Sequence, residues 1–176
     1  MIGSNSCVRN WSERADLHLL TSSFAAAVTT YDAAAAPQRM AAMRMATEVH
    51  RRITGDRPMK AEELPSCLLD LGCGTGLATR SWLDQLQASG QPDPEQLLLV
   101  DQAAVMVERA SALLAERHGA VKGVVLDAFR RDAMGVLAAQ LPCQGSRLLL
   151  SSYALQWSPT PLRLSLIHIS EPTRPY

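Results

Sequence analysis

Four short apolar runs between residues 67 and 152 constrain the fold of this chain more than any other feature. Each run is apolar at consecutive positions, as in strands that are covered on both faces, and each is too short for a buried helix. The runs are CLLDLG (67–72), QLLLVD (96–101), KGVVLD (122–127) and SRLLLSS (146–152). Segments with helical periodicity separate them. This alternation predicts an α/β fold with a parallel sheet and right-handed crossovers.

The segments between these runs predict helices over residues 77–88, 103–118 and 131–140. Two further helices are expected before the first strand, one over residues 17–31 and one that starts near Pro37 and stops at Gly55. In the second, apolar residues recur three or four positions apart and predict one buried stripe: Met40, Met43, Ala46, Val49 and Ile53. We therefore expect a loose N-terminus over residues 1–16 and a single domain over residues 17–163.

Charge and cysteine usage exclude several classes of function. The sequence has 17 Lys and Arg against 17 Asp and Glu, so its net charge of zero gives no reason to expect a nucleic-acid partner or an acidic membrane surface. The four cysteines are scattered and form no CxxC pair, which disfavours a zinc site or a disulfide framework. No apolar run is long enough to span a bilayer. We expect a cytoplasmic protein without a metal centre.

The loop DLGCGTG (70–76) follows the first predicted strand and carries three alternating glycines, Gly72, Gly74 and Gly76. Glycine lets the backbone turn sharply and approach a ligand with no Cβ in the way. The spacing G-x-G-x-G differs from the G-x-G-x-x-G of dinucleotide-binding loops. The loop is therefore a candidate cofactor site, and the alternative is a tight strand-to-helix turn with no ligand.

Polar residues lie at or near the carboxyl ends of the four predicted strands: Asp70, Asp101, Asp127 and Ser152. In open α/β sheets, ligands bind outside the carboxyl ends of the strands, so these side chains are candidate ligand contacts. The alternative for Asp101 is a cap on the helix that starts near Ala103.

The run LLDLGCGTG resembles the first motif of class I S-adenosylmethionine-dependent methyltransferases. The resemblance implies a Rossmann-like sheet whose glycine loop, with Asp70, passes under the methionine part of the cofactor. It also implies that Asp101 holds the two ribose hydroxyls and that Asp127 accepts a hydrogen bond from the adenine amino group. Ala128 would donate its backbone N–H to the adenine ring. Met106 would pack on adenine, although its position on a helix favours the core.

Two further stretches are similar to the malonyl-acyl-carrier-protein O-methyltransferases of biotin synthesis. Phe24, Tyr31, Asp32 and Gln38 match the opening of that family, which implies an N-terminal helical lid with Tyr31 facing the substrate. Tyr31 could instead be an aromatic residue packed on the core. SSYALQW resembles the family's S-N-x-A-x-Q-W motif, with Ser152 in place of Asn. The trans-aconitate methyltransferases also carry ALQW, but they lack the Phe–Tyr–acid opening.

The segment LSLIHISEPTR (164–174) resembles the translation of a transposase adapter used in sequencing libraries. Such a segment would take no part in the fold. On this interpretation the natural sequence ends near Arg163, the sheet is truncated after the fourth of the family's seven strands, residues 164–176 are an artefact, and the fragment is inactive. The alternative is a native amphipathic tail.

The resemblances together imply methyl transfer from S-adenosylmethionine to the free carboxylate of malonyl-acyl-carrier protein, early in biotin synthesis. A carboxylate is already ionised at neutral pH, so the reaction needs no general base. Another small-molecule methyltransferase, such as the trans-aconitate type, is an alternative. A nicotinamide-dependent oxidoreductase and a noncatalytic cofactor-binding module are alternatives of other classes, because fold alone does not fix function.

Overall fold

The computed structural model describes residues 35–54, 64–130, 132–141 and 145–155. Within these ranges strands and helices alternate, which confirms the predicted α/β fold. The elements are α1 (Ala36–Thr54), β1 (Cys67–Leu71), α2 (Leu77–Ala88), β2 (Gln96–Asp101), α3 (Ala104–Ala115), β3 (Val121–Val125), α4 (Ala133–Ala138) and β4 (Arg147–Leu150). The predicted helix over residues 17–31, with Tyr31, lies outside the described residues, as do the predicted loose N-terminus and the predicted tail.

The four strands form one parallel sheet with the order β3-β2-β1-β4. In its register, Leu69 of β1 lies opposite Leu98 of β2 and Leu149 of β4. The chain therefore winds outward from β1 to β3 and then returns to the other side of β1. The strand order therefore reverses between the parallel strands β1 and β4. Such a topological switch point is the position at which Rossmann-like sheets bind their ligands.

Alternate residues of the central strands pack into two cores, one on each face of the sheet. On one face, Leu68, Leu97 and Leu99 pack with Trp82 of α2 and Leu114 of α3. The opposite face is a cluster of strand residues and one residue of α4: Leu69, Leu71, Leu98, Val100 and Leu137. Helices on both faces explain why β1 and β2 are apolar at consecutive positions.

The prediction that every strand is covered on both faces is wrong for β3. Lys122 and Gly123 are exposed, and 56% of the Val125 surface remains accessible. Among the described strands, β3 pairs with β2 alone, so it lies at an edge of the sheet. The short helix α4 places Leu137 over the central strands and leaves much of this edge uncovered.

The predicted stripe of α1 is correct from Ala46 onward and wrong before it. Met40 and Met43 are 57% and 63% exposed, whereas Ala42 is buried with Ala46. Ala42 and Met43 both lie three or four residues before Ala46, so periodicity does not distinguish them. The structure selects the alanine as the buried residue.

Several predicted boundaries extended too far. The helix expected over residues 103–118 spans Ala104–Ala115, and the helix expected over 131–140 spans Ala133–Ala138. The first strand ends at Leu71 because Gly72 adopts a left-handed φ of 72°. Among the helices in the described ranges, none is both long enough and apolar enough to cross a bilayer.

Candidate functional site

The glycine loop leaves β1 at the switch point and turns back on β2. The backbone N–H groups of Gly72 and Cys73 both donate to the carbonyl oxygen of Val100, at 2.8 and 2.9 Å. Gly72, Gly74 and Gly76 have φ values of 72°, 52° and 85°. This left-handed region is disfavoured for residues that carry a Cβ, so the alternating glycines are a conformational requirement of the turn.

The surroundings of the three glycines differ. A Cβ on Gly72 would lie 2.2 Å from the Cβ of Ala154, and one on Gly76 would lie 3.2 Å from the Cβ of Ala110. A Cβ on Gly74 would meet nothing within 4 Å. Gly72 and Gly76 therefore serve close packing against the chain itself, whereas the space beside Gly74 is open to a ligand.

Asp101, the last residue of β2, is hydrogen-bonded through both oxygens. Its Oδ2 accepts from the backbone N–H of Gly74 at 3.0 Å, and its Oδ1 accepts from the N–H of Ala103 at 2.9 Å. Ala103 is the N-cap residue of α3, and no side-chain hydrogen bond caps that helix, so the alternative of Asp101 as a helix cap is wrong. A carboxylate oxygen has more than one lone pair, so each oxygen keeps acceptor capacity for a ligand. Asp101 therefore shapes the loop and remains a candidate contact.

Asp70 lies inside β1 rather than at its end, opposite Leu99 and Leu150. Its side chain is fully buried, and its Oδ2 accepts a hydrogen bond from the Thr79 hydroxyl at 2.7 Å. The other oxygen, Oδ1, is buried without a partner. Burial, reinforced by the nearby charge of Asp101, raises the pKa of Asp70 to about 6.

Thr79 was not singled out from the sequence as a site residue. It is fully buried in the first turn of α2, and its hydroxyl ties that helix to Asp70. The sequence did offer a signal for Thr79: it is a hydroxyl residue in the first helical turn after the glycine loop. A side chain at that position lies near the preceding strand and can bond a polar residue there.

Asp127 and Ala128 follow β3 and lie beside the end of β2. The backbone N–H of Leu126 donates to the carbonyl oxygen of Asp101 at 2.9 Å, which places the two strand ends side by side. Oδ1 of Asp127 accepts from the N–H of Phe129 at 3.0 Å. Ala128 is half-buried against the core that contains Leu137.

The remaining predicted residues have different surroundings. Met106 is 3% exposed on α3, as its helical spacing indicated. Ser152 is half-buried in the turn after β4. Its neighbour Ser151 donates from Oγ to the carbonyl oxygen of Leu71 at 3.0 Å, which fixes this turn to the end of β1. Tyr31 lies outside the described residues.

The electrostatics of the loop favour a cationic ligand. Asp70 and Asp101 are close enough that the charge of Asp101 contributes to the raised pKa of Asp70. Burial, with these two carboxylates, raises the pKa of the Cys73 thiol above its ordinary value, so this cysteine is not an activated nucleophile. In the described ranges, no group of three or more His, Cys, Asp or Glu side chains is arranged to hold a metal ion.

A groove of about 580 Å³ lies at the opposite end of the strands from the glycine loop, around the amino ends of β2 and β3. Its lining residues are Ser66, Glu95, Gln96, Ala120, Val121 and Lys122. Ligands of parallel α/β sheets bind at the carboxyl ends of the strands, so we place the candidate site at the glycine loop and not in this groove.

Comparisons with known proteins give remote likenesses. No protein-family model matches the sequence, and no curated protein matches it. One similar solved structure is the complex between the Haloferax volcanii Trm112 methyltransferase activator and a protein assigned there as a methyltransferase, with 21% identity and a TM-score of 0.42 over 74% of this chain. Another is an uncharacterized protein of the COG1565 superfamily from Burkholderia thailandensis, with 18% identity and a TM-score of 0.34 over 53% of this chain. The chain spans 49% of the length of the first and 24% of the second.

Proposed function

We propose that the intact gene product containing this sequence is an S-adenosylmethionine-dependent methyltransferase. The observation that carries the proposal is the hydrogen bond between Asp101 and Gly74. The Asp101 carboxylate keeps spare acceptor capacity, and Gly74 is the one glycine of the loop that borders open space. When bound, S-adenosylmethionine supplies a methyl group on a sulfonium sulfur, which an acceptor oxygen attacks.

The described residues fit this cofactor in shape. Gly74 leaves room for a group to lie against the loop backbone. The two oxygens of Asp101 suit two neighbouring ribose hydroxyls, because each hydroxyl donates one hydrogen bond. Asp127 and Ala128 follow Leu126, which is hydrogen-bonded to Asp101, and they would contact the adjoining adenine.

The charge of the site supports the same cofactor over a nicotinamide dinucleotide. S-adenosylmethionine carries positive charge on its sulfonium and amino groups, which Asp70 and Asp101 would stabilise. A pyrophosphate at this loop would instead lie near two carboxylates and be repelled. The helix that follows the loop attracts anions only through its N-terminal dipole, about half an elementary charge, which is smaller than the combined charge of these carboxylates.

For the acceptor, we propose the free carboxylate of malonyl-acyl-carrier protein. The support is sequence similarity alone: the Phe24–Tyr31–Asp32 opening and SSYALQW. An ionised carboxylate is a competent nucleophile without a base, so the residues of this site would act by positioning the acceptor and excluding water. Tyr31 would contact the acceptor side. Transfer to another small acid, such as trans-aconitate, is the second candidate, because its methyltransferases share ALQW.

The test is a methyl-transfer assay on the intact gene product with radiolabelled S-adenosylmethionine and three acceptors: malonyl-acyl-carrier protein, malonyl-coenzyme A and trans-aconitate. We expect labelled methyl ester on a malonyl thioester. Label on trans-aconitate alone would support a methyltransferase and contradict the proposal that the acceptor is a malonyl thioester. Binding of the cofactor without transfer to any acceptor would favour a noncatalytic module.

A further inference from the structure

The turn after β4 is fixed at both ends against the end of β1. At its start, Ser151 Oγ donates to the carbonyl oxygen of Leu71 at 3.0 Å. At its other end, Ala154 is 7% exposed and sits where a Cβ on Gly72 would be. The two intervening residues, Ser152 and Tyr153, therefore lie beyond the carboxyl ends of the paired strands β1 and β4.

Tyr153 has an unfavourable backbone conformation at this position. Its φ is 58°, and among the described residues it is the one non-glycine residue with a positive φ. A bulky side chain in the left-handed region is a rare outlier, and such strain concentrates at functional sites. The side chain is 51% exposed, so burial does not offset the strain. The turn thus presents an aromatic ring and a phenol to solvent at the switch point.

Resting on the proposed methyl transfer, we propose that Tyr153 binds the acceptor substrate. Its phenol O–H donates a hydrogen bond to an anionic oxygen of an acceptor that lies beyond the carboxyl ends of β1 and β4. A neutral phenol suits this task because it orients a carboxylate without transferring a proton to it. The hydrogen bond from Ser151 to Leu71 and the contact of Ala154 with Gly72 fix the path of the turn on either side of Tyr153.

The test compares Tyr153→Phe with wild type in the intact gene product. We expect the KM for malonyl-acyl-carrier protein to rise at least about fivefold, with the Kd for S-adenosylhomocysteine unchanged within about twofold. Tyr153→Gly relieves the strain of the positive φ, so it should raise the Tm. It also removes the phenol, so it should lower kcat/KM at least as much as Tyr153→Phe does. Met134→Ala changes an apolar residue of α4 that is about as exposed as Tyr153 and lies outside SSYALQW, so it is the matched control and should leave KM within about twofold.

The outcomes separate this inference from the function beneath it. Transfer by wild type with the same KM in Tyr153→Phe would overturn the role of Tyr153 and leave the methyltransferase intact. No transfer by wild type to any acceptor would overturn the proposed function, and the role of Tyr153 with it. A fall in Tm with no rise in KM in both variants would make Tyr153 a structural residue.

Discussion

Asp101 Oδ2 accepts a hydrogen bond from the backbone N–H of Gly74 at 3.0 Å, so the carboxylate that ends β2 also holds the glycine loop that follows β1. The same side chain accepts from the N–H of Ala103 at the start of α3. One residue thus fixes three elements around the space beside Gly74. In the proposed site, this side chain would therefore set the geometry of the loop and also contact the cofactor.

We predict that Asp101→Ala weakens binding of S-adenosylhomocysteine by about 1–3 kcal/mol, because charge-assisted hydrogen bonds to the ribose are lost and the loop loses its anchor. Calorimetry on the intact gene product measures this. Glu116→Ala is the control: it removes a carboxylate at the C-terminal end of α3, away from the loop, and should leave affinity unchanged. Equal affinities of Asp101→Ala and wild type would remove Asp101 from the site.

Two glycine variants should separate the role of the loop in stability from its role in ligand binding. Gly72→Ala introduces a Cβ 2.2 Å from that of Ala154 at a φ of 72°, so it should cost about 2–4 kcal/mol in the free energy of unfolding. Gly74→Ala meets no neighbour and should cost about 1 kcal/mol, yet it fills the open space and should weaken S-adenosylhomocysteine binding about tenfold.

Urea denaturation and calorimetry measure the two effects. The double variant Gly72→Ala with Ala154→Gly removes the clashing methyl group and should recover part of the lost stability. If the two single variants lose the same stability, or if the double variant recovers none, the contact between Gly72 and Ala154 is not as described.

The pH dependence of stability should carry a contribution from Asp70. Its pKa is about 6 in the folded protein against an ordinary value of 3.8, so the folded state holds this proton more tightly than the unfolded state. The contribution of Asp70 to stability is therefore present below about pH 4 and is lost as the pH rises through about 6. Two pKa units correspond to about 3 kcal/mol.

Asp70→Asn keeps an acceptor for Thr79 and cannot ionise. It should be more stable than wild type at pH 7.5, by up to about 3 kcal/mol, with the difference shrinking toward pH 4.5. Urea unfolding of both proteins across this range checks the prediction, and the comparison cancels the other titrating groups. A stability difference that does not change with pH would show that Asp70 titrates normally.

Tyr31 gives a prediction from the sequence alone. Tyr31→Phe should reduce methylation of malonyl-acyl-carrier protein and leave S-adenosylhomocysteine affinity near that of wild type, because Tyr31 lies outside the cofactor loop. Steady-state kinetics with calorimetry separate the two quantities. Equal turnover by variant and wild type would contradict a substrate contact and favour the alternative that Tyr31 packs on the core.

The sequence predicted the sheet well because consecutive apolar residues such as Leu97–Val100 require cover on both faces. It failed where a residue's neighbours come from distant segments. Asp70 looked like a strand end, but its register with Leu99 and Leu150 buries it. The sequence also did not predict that Gly72 lies against Ala154, from a turn far along the chain. The left-handed φ of Tyr153 has no sequence signal at all, since aromatic residues rarely adopt it.

The most direct measurement is calorimetric titration of the intact gene product with S-adenosylhomocysteine and, separately, with NAD⁺, for wild type and Asp101→Ala. We predict that wild type binds S-adenosylhomocysteine, that Asp101→Ala binds it more weakly by about 1–3 kcal/mol, and that neither protein binds NAD⁺ measurably. Binding of NAD⁺ in preference to S-adenosylhomocysteine, or binding of neither nucleotide, would contradict a methyltransferase cofactor site at Gly74 and Asp101.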